Sequence, residues 1–208
     1  MKKIKIGVLV SGGGTNLQAL IDAEKSGILK NGEIVVVVSS KPDAYALVRA
    51  EKAGIATSVV DKKRLKDVYD FDNELIKALE KNGVQLVILA GFMSILGKDF
   101  VRRFEGRIIN VHPSLIPSFC GAGFYGLRVH RAALDYGVKV TGATVHYVNE
   151  IPDGGEIIAQ KAVEVLPLDT PETLQKRVME QAEWIILPQA AEDVCLKLNE
   201  EFKGETRK

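Results

Sequence analysis

The chain has 208 residues, 46% hydrophobic and 26% charged, with a formal net charge of +1. That length supports one core-bearing domain, and a charge this small gives no electrostatic footprint for a nucleic-acid surface. The two cysteines, Cys120 and Cys195, are far apart in sequence and suggest neither a disulfide framework nor a metal pair. They read as reduced thiols of a cytoplasmic protein.

The apolar stretch after Met1 is short and ends in Ser11-Gly12-Gly13-Gly14, so it reads as a first strand rather than a signal peptide or membrane span. Ile4 to Val10 has the β-branched character of a strand buried on both faces, as in a parallel sheet. Ser11 to Asn16 follows at once, and a helical pattern begins at Leu17. Strand, glycine-rich turn and helix together suit an anion: the glycines allow close backbone approach, and the N–H groups of the helix start point at the ligand. Taken alone, the turn equally fits a capped helix. Leu17 stands where a dinucleotide fingerprint needs its third glycine, and the strand Glu33 to Val38 ends without an acid to hold a ribose, so NAD is disfavoured. No Walker loop is present. A single phosphate on a small substrate is the better match.

Pro42 to Ala53 reads as the second helix, Ala56 to Val60 as the third strand, Asp70 to Glu80 as a helix and Leu86 to Ala90 as the fourth strand. This alternation predicts a doubly wound α/β sheet, mostly parallel and Rossmann-like. The basic cluster Lys62, Lys63, Arg64 and Lys66 reads as a solvated loop. Gly91 to Gly97 is an apolar, glycine-bounded loop able to line a pocket for a flat ligand. Asp99 to Phe104 is a short helix.

Gly106 to Pro117, GRIINVHPSLIP, is the central stretch. A short apolar strand delivers Asn110 and His112 at its C-terminal end, where open parallel sheets bind ligands. Two residues apart on an extended chain, they point to the same side. An amide donor and an imidazole facing one point suit a reaction in which an oxygen gains charge while a proton moves. Ser118 to Gly126, with three glycines and three aromatics, reads as a mobile loop beside the site. Leu127 to Tyr136 is a helix. Val140 to Val148 and Glu156 to Val165 form an antiparallel hairpin around Asn149 to Gly155, which places Asp153 before two glycines. Asp169-Thr170-Pro171-Glu172 starts a helix with an apolar stripe of Leu174, Val178, Ala182 and Ile185 or Ile186. Pro188 is expected to kink or end it, Ala190 to Leu198 forms the last helix, and Gly204 to Lys208 is a frayed polar tail.

The ordered combination of SGGGTN, LAGFMSIL, NVHPSLIP, TGATVHYV and PDGG, from about residue 4 to about residue 190, resembles the folate-dependent phosphoribosylglycinamide formyltransferase family. The resemblance implies one formyltransferase domain over 1–208, with a phosphate-binding lobe to about residue 105 and a catalytic and folate lobe from 106 to about 200. It implies transfer of a formyl group from 10-formyltetrahydrofolate to the amine of glycinamide ribonucleotide, in purine synthesis and without a metal. By matching motifs it implies Asn110, His112 and Asp153 as the catalytic trio, with Asp153 keeping His112 protonated. Gly12, Gly13, Gly14, Thr15 and Asn16 would hold the substrate phosphate. Glu183 would hold ribose hydroxyls, at the cost of one extra residue in its helix. Met93, Ser94, Ile95 and Leu96, with Asn110, would line the folate pocket, and no match appears for a basic folate contact near residues 64–68. His130 and His146 read as structural. The partners implied are small molecules, with no nucleic acid or membrane, for a monomer or homodimer. Another 10-formyltetrahydrofolate transferase, a formyl-folate hydrolase and a non-catalytic nucleotide-binding module are the competing readings. A serine hydrolase is disfavoured because G-x-S-x-G is absent.

Overall fold

The computed structural model describes residues 3–205. Thr206 to Lys208 of the expected tail lie outside the described residues, whereas Gly204 and Glu205 continue the last helix.

Five strands, β1 (Ile4–Val10), β2 (Gly32–Ser39), β3 (Ala56–Val59), β4 (Leu86–Leu89) and β5 (Ile108–His112), pair in parallel. The hairpin β6 (Val140–Tyr147) and β7 (Ile157–Glu164) adds two antiparallel strands, giving the order β3-β2-β1-β4-β5-β6-β7. The chain winds outward from β1 to β3, then returns to lay β4 against the other side of β1. That reversal opens a crevice at the C-terminal ends of β1 and β4, the place where ligands bind in open α/β sheets. The loops leaving these strands meet there: the Met93 main-chain N–H donates to Ser11 Oγ at 2.9 Å.

Alternate residues of the buried strands feed two cores. Ile6, Val8, Val10, Ile88 and Ile109 face the helices α1 (Thr15–Ser26), α2 (Tyr45–Lys52), α6 (Pro171–Val178) and α7 (Trp184–Glu205). Leu9, Val36, Val38, Val87 and Ile108 face α3 (Val68–Lys81) and α4 (Lys98–Arg103), where Phe71, Leu75, Leu79 and Phe100 are fully buried. Each such side chain contributes on the order of 1.5–3 kcal/mol. The helix α5 (Leu127–Tyr136) packs beside α6.

Several expected boundaries shift, and α3 begins at Val68 rather than Asp70. Helix α1 begins at Thr15 rather than Leu17, because Gly14 takes a left-handed φ of 72° and turns the chain into the helix. A β-carbon on Gly14 would lie 2.6 Å from Ala46 Cβ, so only glycine lets α2 approach the loop. Helix α2 begins at Tyr45 rather than Pro42: Pro42 and Asp43 form a turn that Ala44 N–H closes on the Lys41 carbonyl. Helix α7 passes through Pro188 instead of stopping there. Proline removes one i→i−4 bond near the start of α7, and the ladder is already displaced just upstream by a π turn, Met179–Glu183. The turn also settles the apolar stripe, burying Ile186 and exposing Ile185.

The hairpin closes tightly. A β-carbon on Gly155 would come within 1.8 Å of the Tyr147 carbonyl oxygen, which belongs to the backbone and cannot swing aside. Gly155→Ala is expected to cost about 1–3 kcal/mol through forced backbone movement. Urea unfolding measures it; an unchanged midpoint would show that the hairpin has slack.

Candidate active site

The glycine-rich turn is held open from behind. Ala46 N–H donates to the Gly12 carbonyl at 3.0 Å, and Arg49 Nε donates to the Gly13 carbonyl at 2.8 Å. With these carbonyls tied to α2, the first N–H groups of α1, which have no intrahelical acceptor, face the crevice. A β-carbon on Gly12 or Gly13 would meet nothing within 4 Å. Open backbone beside a helix N-terminus suits an anion. Thr15 Oγ1 points to Met179 Sδ at 3.8 Å, so the turn also touches the π segment.

Asn16 Nδ2 donates to Glu183 Oε2 at 2.7 Å. Glu183 ends the π turn and is only 6% exposed. A π turn accommodates one residue more than the α-helical ladder. Burial pushes the Glu183 carboxyl up to about 7, opposed only by the Asn16 hydrogen bond. Asn16 Oδ1 is buried without a partner. A carboxyl and an amide oxygen at one place can accept from ligand hydroxyls.

Asn110 and His112 emerge on β5 as the two-residue spacing predicts. Their cross-strand neighbours on β6 are His146 and Thr144. His146 Nδ1 donates to the Tyr147 carbonyl at 2.7 Å, which leaves Nε2 to accept from Asn110 Nδ2 at 3.2 Å. One amide hydrogen of Asn110 is thereby fixed, leaving the second for a ligand oxygen. Asp153 sits between the imidazoles, with Oδ2 3.6 Å from His112 Nδ1 and Oδ1 3.7 Å from His146 Nε2. It takes a left-handed φ of 54° and accepts the Gly121 main-chain N–H at 2.8 Å. Burial would raise its carboxyl, but the adjacent imidazoles of His146 and His112 and the Gly121 N–H outweigh that and hold it below the usual carboxylate range. His112 Nε2 donates to the Phe119 carbonyl at 2.9 Å. Both ring nitrogens of His112 thus face protein oxygens.

His146, read from the sequence as structural, is buried and hydrogen-bonded, and it also lies beside Asn110 and Asp153. Its place in the cluster depends on the β5–β6 register, which pairs it with Asn110, 36 residues earlier. The signal that could have found it is the pairing of two alternating strands, N-x-H and T-x-H. His130, also read as structural, is buried in α5 with neither ring nitrogen partnered. Burial first, and the charge of His112 second, push it down to about 4, so it stays neutral.

A pocket of about 190 Å³ opens beside the cluster. Ser94, Ile95, Leu96, Asn110, His146 and Asp153 are among its lining residues. Met93 is not; its side chain is exposed and its N–H is taken by Ser11. Phe92 and Leu96 give the pocket apolar walls suited to a flat ring. In the basic segment, Arg64 pairs with Asp61 at 3.4 Å. Among the described residues no group of three or more His, Cys, Asp or Glu is placed to hold a metal ion, and no helix is long and apolar enough to cross a membrane.

Residues 4–191 match the formyl transferase family. The chain belongs to that family. The phosphoribosylglycinamide formyltransferase of Haemophilus influenzae is 42% identical over 184 residues, covering 88% of this chain and 84% of that protein. The trifunctional purine biosynthetic protein adenosine-3 of Gallus gallus is 49% identical over 178 residues, 86% of this chain, but the chain spans only 17% of that protein's length. The crystal structure of glycinamide ribonucleotide transformylase 1 from Symbiobacterium toebii superposes with a TM-score of 0.88 at 42% identity, covering 94% of this chain and 89% of that one. In this formyltransferase family member the matched segment contains Asn16, Asn110, His112, His146, Asp153 and Glu183.

Glu183 gives a prediction in pH. Its folded pKa of about 7 lies above the free value of 4.5, so the folded chain keeps a proton that the unfolded chain releases. The contribution is fully present below pH 4.5 and is lost as pH rises through about 7, a change of roughly 3 kcal/mol. Glu183→Gln keeps an acceptor for Asn16 but cannot ionise. Relative to the wild type, the variant should gain stability on going from pH 4.5 to pH 8, measured by urea unfolding. Parallel pH profiles would show that the wild-type carboxyl ionises normally.

Proposed function

We propose that this protein transfers the formyl group of 10-formyltetrahydrofolate to the amine of phosphoribosylglycinamide, a step of purine biosynthesis. The observation that carries the reading is the convergence of Asn110, His112, His146 and Asp153 beside an apolar pocket, within one crevice of the glycine-rich turn. Family membership supports the formyl chemistry, and the names of the H. influenzae and S. toebii relatives support the acceptor.

Each residue has a chemical task. The N–H groups at Gly12 to Asn16 bind the phosphate, and Glu183 with Asn16 accepts from the ribose hydroxyls. The substrate is thus held at one end with its amine directed toward β5, which gains the rate advantage of fixed geometry. The folate ring lies against Phe92, Ile95 and Leu96. When the amine attacks the formyl carbon, negative charge develops on the formyl oxygen. The free Asn110 amide hydrogen donates to it, and His146 keeps that amide turned the right way. His112 supplies the proton that the departing folate nitrogen needs. Asp153 balances the charge of His112 and accepts the amine proton through water. The co-substrate carries the formyl group; no metal is required. Cytoplasmic residence and action on small molecules, without nucleic acid, belong to the same proposal, as does a single domain with its phosphate-binding lobe ahead of residue 106.

An absorbance assay of formyl-folate loss tests this, with and without phosphoribosylglycinamide. Loss should require the amine. It should fall about 10²–10⁴-fold in His112→Ala, the range of general acid–base catalysis, and about 10²-fold or more in Asn110→Ala, the cost of an oxyanion donor. Loss without the amine would identify a hydrolase instead. Binding of both ligands with no loss at all would favour a non-catalytic module.

A further inference from the structure

Of the four polar side chains in the cluster, His112 is the one that does not line the pocket. Asn110, His146 and Asp153 do, whereas His112 is 5% exposed and its Nε2 is engaged by the Phe119 carbonyl. Its other nitrogen faces Asp153. With Nε2 bonded to the Phe119 carbonyl and Nδ1 turned to Asp153 at 3.6 Å, neither nitrogen is directed at a substrate. One of these contacts must yield before the proposed transfer. The Asp153 contact carries the charge balance, so the Phe119 carbonyl is the one to be exchanged.

The loop that brings this carbonyl is attached in few places. Ser114 Oγ donates to the Ser118 carbonyl at 2.6 Å, and Gly121 N–H donates to Asp153. Gly121, Gly123 and Gly126 all have positive φ and offer no side chain to pack. Phe119 itself has φ 49°, a left-handed conformation unfavourable for a bulky residue. Its ring provides the compensation, meeting Tyr136 edge-on at 6.0 Å and Phe124 at 6.4 Å. Tyr136 ends α5 and is 81% exposed, so the sheet cores do not depend on its ring. Its recorded ring partner is Phe119.

We infer that Phe119 and Tyr136 form a latch: the edge contact holds the loop over the site, with the Phe119 carbonyl occupying the position on His112 Nε2 that the departing folate nitrogen must take. The inference rests on the formyl transfer proposed above for its kinetic consequence, but the latch itself is a property of the free protein. Binding of the formyl donor displaces the carbonyl. Weakening the latch therefore raises the fraction of protein able to bind and lowers the apparent KM for the donor.

Cys120 lies within the loop and reports its state without any turnover. Its thiol donates to the Pro117 carbonyl at 3.3 Å, and Cys195 is buried, so iodoacetamide reads Cys120. In Tyr136→Ala, alkylation should be about 2- to 10-fold faster, the factor an aromatic edge contact is worth. The KM for the formyl donor should fall by a similar factor with kcat not reduced. Tyr136→Phe keeps the ring edge and should match the wild type in both. Unchanged alkylation in Tyr136→Ala overturns the latch. Faster alkylation with reduced kcat also overturns it, because the contact would then position His112 rather than cover it. If the wild type fails to transfer formyl, the function proposal falls, and the alkylation comparison still decides whether Tyr136 holds the loop.

Discussion

The site depends on keeping one buried carboxylate charged. Moving an ionised carboxyl out of water is expensive unless it is paired and hydrogen-bonded. Asp153 faces imidazoles on two sides and receives a main-chain N–H from a third. These come from β5, from β6 and from the loop after Pro117. The carboxylate therefore ties together three pieces of chain that sequence distance separates. Its own backbone is left-handed, a conformation that asparagine and aspartate tolerate better than most residues. Charge, register and turn geometry are thus satisfied by a single residue, and a change in any of the three would disturb the other two.

β5 is where the sheet makes this possible. It runs parallel to β4 and antiparallel to β6, and Asn110 is paired on both sides, with Leu89 and with His146. The parallel half of the sheet ends in loops at its C-terminal edge, which supplies the glycine-rich turn and the Gly91–Gly97 pocket wall. The antiparallel half sends a strand back past that edge, which supplies His146. The short β6–β7 connection then carries Asp153 into the same space. A wholly parallel continuation would need a long crossover after β5 and could not return a histidine opposite Asn110.

Most of the fold could be read locally. Unbroken β-branched runs, the glycine after β1 and the Thr170-Pro171 start of α6 are features of neighbouring residues, and the structure follows them. That Asn110, His112 and Asp153 would converge, and that a glycine-rich turn would open the first helix, was legible for the same reason, helped by a resemblance spanning most of the chain. What escaped was non-local. His146 joins the cluster only through strand register, and the helix that runs on through Pro188 follows a π turn. Pro42 belongs to a turn rather than a helix because its preceding carbonyl is used by Ala44. At Pro42 a local preference was correct as a preference and was overruled by a hydrogen bond between its neighbours.

The π turn shows how such an override can serve a ligand. In an uninterrupted α-helix each residue turns the face by a fixed angle, and the apolar stripe of Leu174, Val178 and Ala182 would set the direction of everything after it. The wider turn at Met179–Glu183 breaks that phase once. Glu183 is thereby buried against Asn16 instead of reaching solvent, while Ile186 resumes the core stripe. The helix pays in desolvation, since the carboxyl is raised to about 7. A ligand that donates hydroxyl hydrogens there would favour the ionised form and recover part of that cost. The cost in the free protein and the affinity for a hydroxylated substrate are then two sides of the same buried group.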